Sequence, residues 1–156
     1  MKRFKVTELL IWVISAELAG AVSALLSGGD FSGYYASLVK PPIAPPGWVF
    51  PIAWAILYAL TALGAYIVSL SESDASRLAL RLYALQLGVN FLWSPIFFGL
   101  KSFGWAVAAA AVLFLLVVLM TLAFFRADEL AVASAIPYLL WVGYALYLSI
   151  GFLVVN

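Results

Sequence analysis

The sequence contains no cysteine and no histidine. Their absence excludes a disulfide framework, a thiolate or imidazole metal site, and any Ser-His or Cys-His nucleophile pair. No metal site is expected and no cofactor is required. Charge is equally scarce. Charged residues make up 10% of the 156, with a formal net charge of +1. A nucleic-acid partner would want a basic face, and none is expected.

What remains is apolar. Hydrophobic residues make up 67% of the chain, with a mean hydropathy of +1.13. A soluble domain is about half apolar and a quarter charged, so this chain cannot cover itself in water. Its length suits one domain. A membrane span needs about 20 mostly apolar residues, and five stretches qualify: about 6–27, 48–70, 78–100, 103–125 and 130–155. They are continuous rather than alternating, which argues against a barrel of strands. The fold class expected is an all-α integral membrane protein, a five-transmembrane-helix bundle in the lipid bilayer. Lys2, Arg3 and Lys5 precede an apolar run ending at Val22-Ser23-Ala24, which has the form of a signal peptide. Glu17 would interrupt its apolar core, so a membrane helix is the expectation.

Lys2, Arg3, Lys5, Arg77, Arg81 and Arg126 fall on the amino-terminal side of these spans, and only Lys40 and Lys101 on the other. The positive-inside rule places the amino terminus in the cytoplasm of a cell-membrane protein. The loop at about 28–47 then faces outward. Pro41, Pro42, Pro45 and Pro46 predict extended, polyproline-like backbone there. The other loops are short, so consecutive spans after the first are expected to be antiparallel neighbours. Small residues recur every four positions at Ala16, Gly20 and Ala24, at Ser15, Ala19 and Ser23, and at Ala84 and Gly88. Such faces let helices approach closely in lipid, and packing within the bundle is expected over a dimer face.

The third span holds Gln86, Asn90 and Ser94 on one helical face. Amides in lipid need hydrogen-bond partners, so this face must point inward. Two uses fit it equally, helix–helix hydrogen bonding and a ligand pocket with a few placed polar groups. Trp93 flanks the stripe, and Pro95 frees a helical carbonyl nearby. The second span carries Phe50, Trp54 and Tyr58 on one face, and the fifth carries Pro137, Tyr138, Trp141 and Ala145. Trp12, Trp48 and Trp105 suit an interfacial aromatic belt. Trp54, Trp93 and Trp141 lie deeper, and three converging indoles would make a cage for a flat apolar ligand. Glu17 sits mid-span, where an ionised carboxylate is costly. It is expected to be protonated or hydrogen-bonded to backbone or hydroxyl groups.

Together these motifs resemble the translocator protein family, also called tryptophan-rich sensory proteins (TspO/MBR). The most specific part is Tyr34-Tyr35 through Lys40-Pro41-Pro42, Pro45-Pro46-Gly47-Trp48-Val49-Phe50-Pro51, then Trp54 and Leu57-Tyr58. Gln86, Asn90, Trp93, Pro95 and Phe97-Phe98-Gly99 match in the third span. Pro137-Tyr138-Leu139-Leu140-Trp141 and Asn156 match in the fifth, and Glu17-Leu18-Ala19-Gly20 is similar to bacterial members. The resemblance implies a single five-helix domain, often a homodimer, with a pocket lidded by the first loop. It implies binding of protoporphyrin IX-like tetrapyrroles or other apolar small molecules. The residues it carries over are Tyr35, Pro45, Phe50, Trp54, Tyr58, Gln86, Asn90, Trp93, Ser94, Phe97, Tyr138, Trp141 and Ala145. Tyr34 stands where the family commonly has Trp, and Ser149 replaces a frequent Asn. The chain lacks the basic residue that a carboxyl-terminal cholesterol pattern needs, so cholesterol binding is not expected. Three functions follow from the resemblance: a membrane receptor in tetrapyrrole homeostasis or stress signalling, light-dependent porphyrin degradation with Trp54 or Trp141 as photochemical donor, and transport of tetrapyrrole or other small solutes. The receptor leads. The chain offers no conventional acid-base set, and it has no evident inverted repeat of the transporter kind.

Overall fold

The computed structural model describes residues 3–156. Six α-helices follow in order: α1 Val6–Leu26, α2 Phe31–Ser37, α3 Val49–Leu70, α4 Ala75–Ser94, α5 Phe103–Ala127 and α6 Glu129–Val155. No strand occurs among the described residues. A π-helical turn, Pro95–Gly99, extends α4 to the length of a span. All five helices other than α2 are long and apolar enough to cross a membrane. The expected spans are therefore present, with ends shifted by a few residues.

The spans close into a ring in which α1 packs on α3, α3 on α6, α6 on α5, α5 on α4, and α4 on α1. The second and third spans, α3 and α4, also touch, as expected of consecutive spans, but α3 leans chiefly on α1 and α6. Gly64 permits that lean, because a Cβ there would collide with Ser134 and Phe124. The main core lies between α3, α5 and α6, around Val68, Val117, Met120, Phe124, Tyr138 and Val142. In contrast, α1 buries only Ala16 and Ser23. It is held at one end by Tyr66, whose phenol accepts from the Lys5 N–H (2.7 Å) and donates to the Lys5 carbonyl (3.0 Å). At its start, Lys5 pairs with Glu8 at 2.8 Å in solvent.

The small-residue faces divide. On α1, Ala16 and Ser23 are buried inside the ring and Ala19 and Gly20 half-buried, as expected of packing faces, whereas Ser15 and Ala24 are exposed. Ala84 and Gly88 point outward, and a Cβ on Gly88 would meet nothing within 4 Å. For that pair the expectation of packing inside the bundle is corrected, because α4 turns Gln86 and Asn90 inward and so turns Ala84 and Gly88 out.

The first loop is more ordered than its prolines suggest. Asp30 caps α2 by accepting from the Gly33 N–H at 2.9 Å. After α2 the chain does not run on as continuous polyproline. Ile43 adopts a left-handed φ of 57°, and the Ala44 N–H donates to the Pro41 carbonyl at 3.3 Å to close a turn. Helix α6 supplies what a helix of prolines could not. Tyr144 donates to the Ile43 carbonyl, and Tyr147 to that of Pro42 at 2.8 Å. The Asn156 amide exchanges two bonds with Val39, at 3.0 and 2.9 Å.

Candidate functional site

Between α1, α3 and α4 lies a cavity of ≈ 340 Å³. Helix α1 contributes Glu17, Gly20, Ala21, Ser23 and Ala24, and α3 contributes Phe50, Pro51, Trp54, Ala55 and Tyr58. Asn90, Trp93, Ser94 and Phe98 face it from α4 and the π turn, and Phe31 from α2. Ala21, Ala24, Pro51 and Ala55 are exposed. The cavity therefore opens sideways between α1 and α3, where lipid would lie.

Helix direction fixes which groups lie deep. From the loop side, α3 descends from Phe50 to Tyr58, α4 ascends from Asn90 to Phe98, and α1 ascends from Glu17 to Ala24. Glu17, Tyr58 and Asn90 thus form a polar floor. Phe31, Phe50 and Phe98 form an aromatic roof, with the Phe31 and Phe98 ring centroids 4.3 Å apart. Gly20 makes the floor available, since a Cβ there would collide with the Tyr58 ring.

The floor is wired into the core. Tyr58 donates its hydroxyl to Asn90 Oδ1 at 3.2 Å, and Asn90 Nδ2 donates to the Tyr138 hydroxyl at 2.8 Å. Tyr138 then donates to Gln86 Oε1. A buried chain of this kind holds each member in one rotamer, because every broken link strands a polar atom. Pro95 acts at the other wall. Lacking an N–H, it leaves the Phe91 carbonyl without its helical donor, and Ser23 Oγ of α1 donates to that carbonyl at 2.7 Å. The hydroxyls of Ser27 and Ser94 meet at 2.7 Å beside it.

Of the residues expected at a pocket, Phe50, Trp54, Tyr58, Asn90, Trp93 and Ser94 stand in the cavity wall. Tyr35, Phe97 and Ala145 line a second void of ≈ 10 Å³ on the far side of Phe50, Trp54 and Trp93. Gln86 and Tyr138 lie behind the floor. Pro45 accepts the Tyr35 hydroxyl at 2.6 Å and lines neither void. The expected meeting of three indoles is corrected. Trp54 and Trp93 face the cavity, but Trp141 stands behind, edge-on to Phe50 and Trp54 with centroids at 6.2 and 6.3 Å. The bulk of those two rings separates it from the space, and its buried Nε1–H has no partner among the described residues. Trp93 donates to Ser149 Oγ at 3.3 Å, so the departure at Ser149 keeps an acceptor there. Trp48 and Trp105 are exposed near span ends as expected of a belt, whereas Trp12 packs on Tyr83 at 5.8 Å.

Sequence reasoning assigned no α1 residue to the site, yet α1 forms one whole wall. Glu17 was the available signal. Of the two states expected of Glu17, protonated or hydrogen-bonded, the hydrogen bond is absent among the described residues, and the residue lines the cavity instead. Above the roof, burial raises the phenol pKa of Tyr34 and of Tyr35. Lys101 sits over the Tyr34 ring at 4.8 Å, and Lys40 over that of Tyr35 at 5.1 Å.

The model of the TspO/MBR family matches residues 12–155. This chain belongs to the TspO/MBR family. Within it, the chain is 36% identical over 138 residues to protein CrtK of Rhodobacter capsulatus, covering 87% of this chain and 84% of that protein. It is 43% identical over 108 residues to the tryptophan-rich sensory protein of Cereibacter sphaeroides, covering 69% and 67% respectively. The translocator protein of Bos taurus is 33% identical over 131 residues, 82% of this chain and 78% of that one. With five apolar spans and this membership, the chain is an integral membrane protein of the translocator and sensory family. The matched region contains all of the cavity wall.

Proposed function

We propose that this protein is a membrane receptor for porphyrin-like tetrapyrroles and related flat apolar ligands, acting in tetrapyrrole homeostasis or stress signalling. The observation that carries the reading is the cavity of ≈ 340 Å³ with Phe50, Trp54 and Trp93 in its wall and a hydrogen-bonded Tyr58–Asn90 pair at its floor. Its volume lies in the range of small-molecule sites, and its make-up is theirs too: mostly apolar and aromatic, with a few convergent polar groups. The sideways opening suits a ligand that arrives dissolved in lipid. No protein metal ligand is needed for a ring held by its faces. Protoporphyrin IX titrated into the protein in nanodiscs should quench tryptophan emission and saturate. Trp54→Ala should weaken this binding by about tenfold, the order of loss for an aromatic contact in a packed site. Saturation unchanged in that variant would remove the cavity as the binding place.

The T-shaped Trp54–Trp141 contact at 6.3 Å favours a second reading. A porphyrin bound against Trp54 would have two indoles in series as electron donors, and light-dependent degradation would follow from the ligand's own photochemistry. Equal bleaching of protoporphyrin by the protein and by free indole at matched concentration would remove it. We place the protein in the cell membrane with its amino terminus in the cytoplasm, on the distribution of Lys and Arg. We assign a homodimer contact to the outward Ala84–Gly88 face, where small side chains would let a second copy approach.

A further inference from the structure

The polar floor of the cavity is biased toward accepting hydrogen bonds. Ser23 already donates to Phe91, Tyr58 to Asn90, and Trp93 to Ser149. No Lys, Arg or His lines the space. Helix α3 carries no basic residue, and the nearest one on α4 toward the floor end is Arg81, about two and a half turns below Asn90. On α1 the cation of Lys5 is taken by Glu8. What the floor offers a ligand is the carboxylate of Glu17, without a hydrogen bond among the described residues, and the free lone pair of the Tyr58 oxygen beside it. The cations lie at the opposite end, where Lys40 and Lys101 sit over the rings of Tyr35 and Tyr34. The cavity is therefore asymmetric, with its one acid at the floor and the cations beyond its aromatic roof.

We propose that Glu17 is a specificity residue that selects flat aromatic ligands carrying a protonated nitrogen, binding their N–H group at the floor. The proposal rests on the aromatic cavity being a ligand site and adds which end of the ligand goes down. A carboxylate left alone in an apolar span is costly. A ligand ammonium restores neutrality and makes a charge-assisted hydrogen bond, which is stronger than a neutral one. A ligand that carries acids must keep them away from Glu17. Its acids then turn up toward Lys40 and Lys101, leaving its ring nitrogens or apolar edge over Tyr58.

Three pyrenes with the same flat ring test this: 1-pyrenemethylammonium, 1-methylpyrene and 1-pyrenecarboxylate. Each is titrated into the full chain in zwitterionic phosphatidylcholine nanodiscs, following energy transfer from tryptophan, with protein-free discs correcting for partitioning. The ammonium should bind about tenfold more tightly than 1-methylpyrene, the gain expected of a hydrogen bond to a charged group, and the carboxylate most weakly of the three. Glu17→Gln should bring the ammonium and 1-methylpyrene to the same affinity, with thermal unfolding in the same nanodiscs checking that the variant is folded. Glu8→Gln, which alters a carboxylate outside the cavity, should keep the preference. Equal affinities of ammonium and 1-methylpyrene in the unaltered protein would overturn the proposal without needing any variant. So would a preference that survives Glu17→Gln. Protoporphyrin IX is titrated in parallel. If it and 1-methylpyrene bind while the ammonium preference is absent, only the role of Glu17 falls. If neither binds, the receptor reading falls with it.

Discussion

Asn90 is the side chain through which the cavity floor reaches the core. It accepts from Tyr58 and donates to Tyr138, so Asn90→Leu would strand the Tyr58 hydroxyl and leave Tyr138 with only its bond to Gln86. Each unsatisfied group costs about 1–3 kcal/mol, and the variant should show a clearly lowered Tm in detergent, with Tyr58→Phe losing less. Gly20 tests the space rather than the bonds. A side chain there must displace Tyr58, so Gly20→Leu should weaken protoporphyrin binding by about tenfold or more in the tryptophan-quenching titration. Some of these positions were legible in the sequence. The four-residue spacing of Phe50, Trp54 and Tyr58 and of Gln86, Asn90 and Ser94 fixed their faces, because one face of each helix had to turn away from lipid. Trp141 was misplaced because periodicity gives direction and not distance. It points inward, but the rings of Phe50 and Trp54 fill the room in front of it. Glu17 was visible as a charge in an apolar run, yet nothing in one helix says that the facing helices leave a cavity instead of a hydrogen bond.

Among the elements, the π turn after α4 and the middle of α1 act together. Pro95 leaves the Phe91 carbonyl to Ser23, so Ser23→Ala should lower stability by about 1 kcal/mol. Restoring a backbone N–H with Pro95→Ala should reduce that loss. A double-mutant cycle read by thermal unfolding would show coupling between the two positions, and strict additivity would mean that the carbonyl is satisfied otherwise. The freed carbonyl was legible from Pro95 alone, but its partner on another helix was not. Helix α2 escaped notice for a different reason. Seven residues with a glycine give little periodicity, and its one signal was the Asp30 cap three residues before Gly33. The loop that carries α2 also carries a pH dependence. Burial raises the Tyr35 phenol above its ordinary value of 10.0, so the folded loop keeps this proton when the released loop has lost it. Stability from Tyr35 is constant below pH 10 and falls as pH rises beyond it. Limited proteolysis of the loop should accelerate above pH 10 in the unaltered protein, and Tyr35→Phe should flatten that rise.

Taken as one molecule, the bundle is a ring with a loosely held member. The expected number of spans and their boundaries came from hydropathy, but the ring order did not, since hydropathy carries no information about which faces meet. Helix α1 buries two side chains, while α3, α5 and α6 surround the main core. It is therefore the wall that can move, and the cavity opens along it. The absence of cysteine makes this testable, because a bismaleimide can react only at introduced thiols. Bridging Ala21→Cys to Ala55→Cys should slow protoporphyrin association in stopped-flow quenching, and an unchanged association rate would place entry elsewhere. The roof has its own bias. Ile43 is a β-branched residue held at positive φ, a conformation that costs a side-chain-bearing residue about 1–2 kcal/mol. That cost is present only while the loop is seated, so it brings the unseated loop closer in free energy and shortens the time the roof stays shut. Ile43→Gly relieves it without touching the cavity. The consequence is a separation of two quantities that usually move together: the variant should hold its ligand for longer, with a lower dissociation rate, while the contacts that determine which ligand is chosen stay the same.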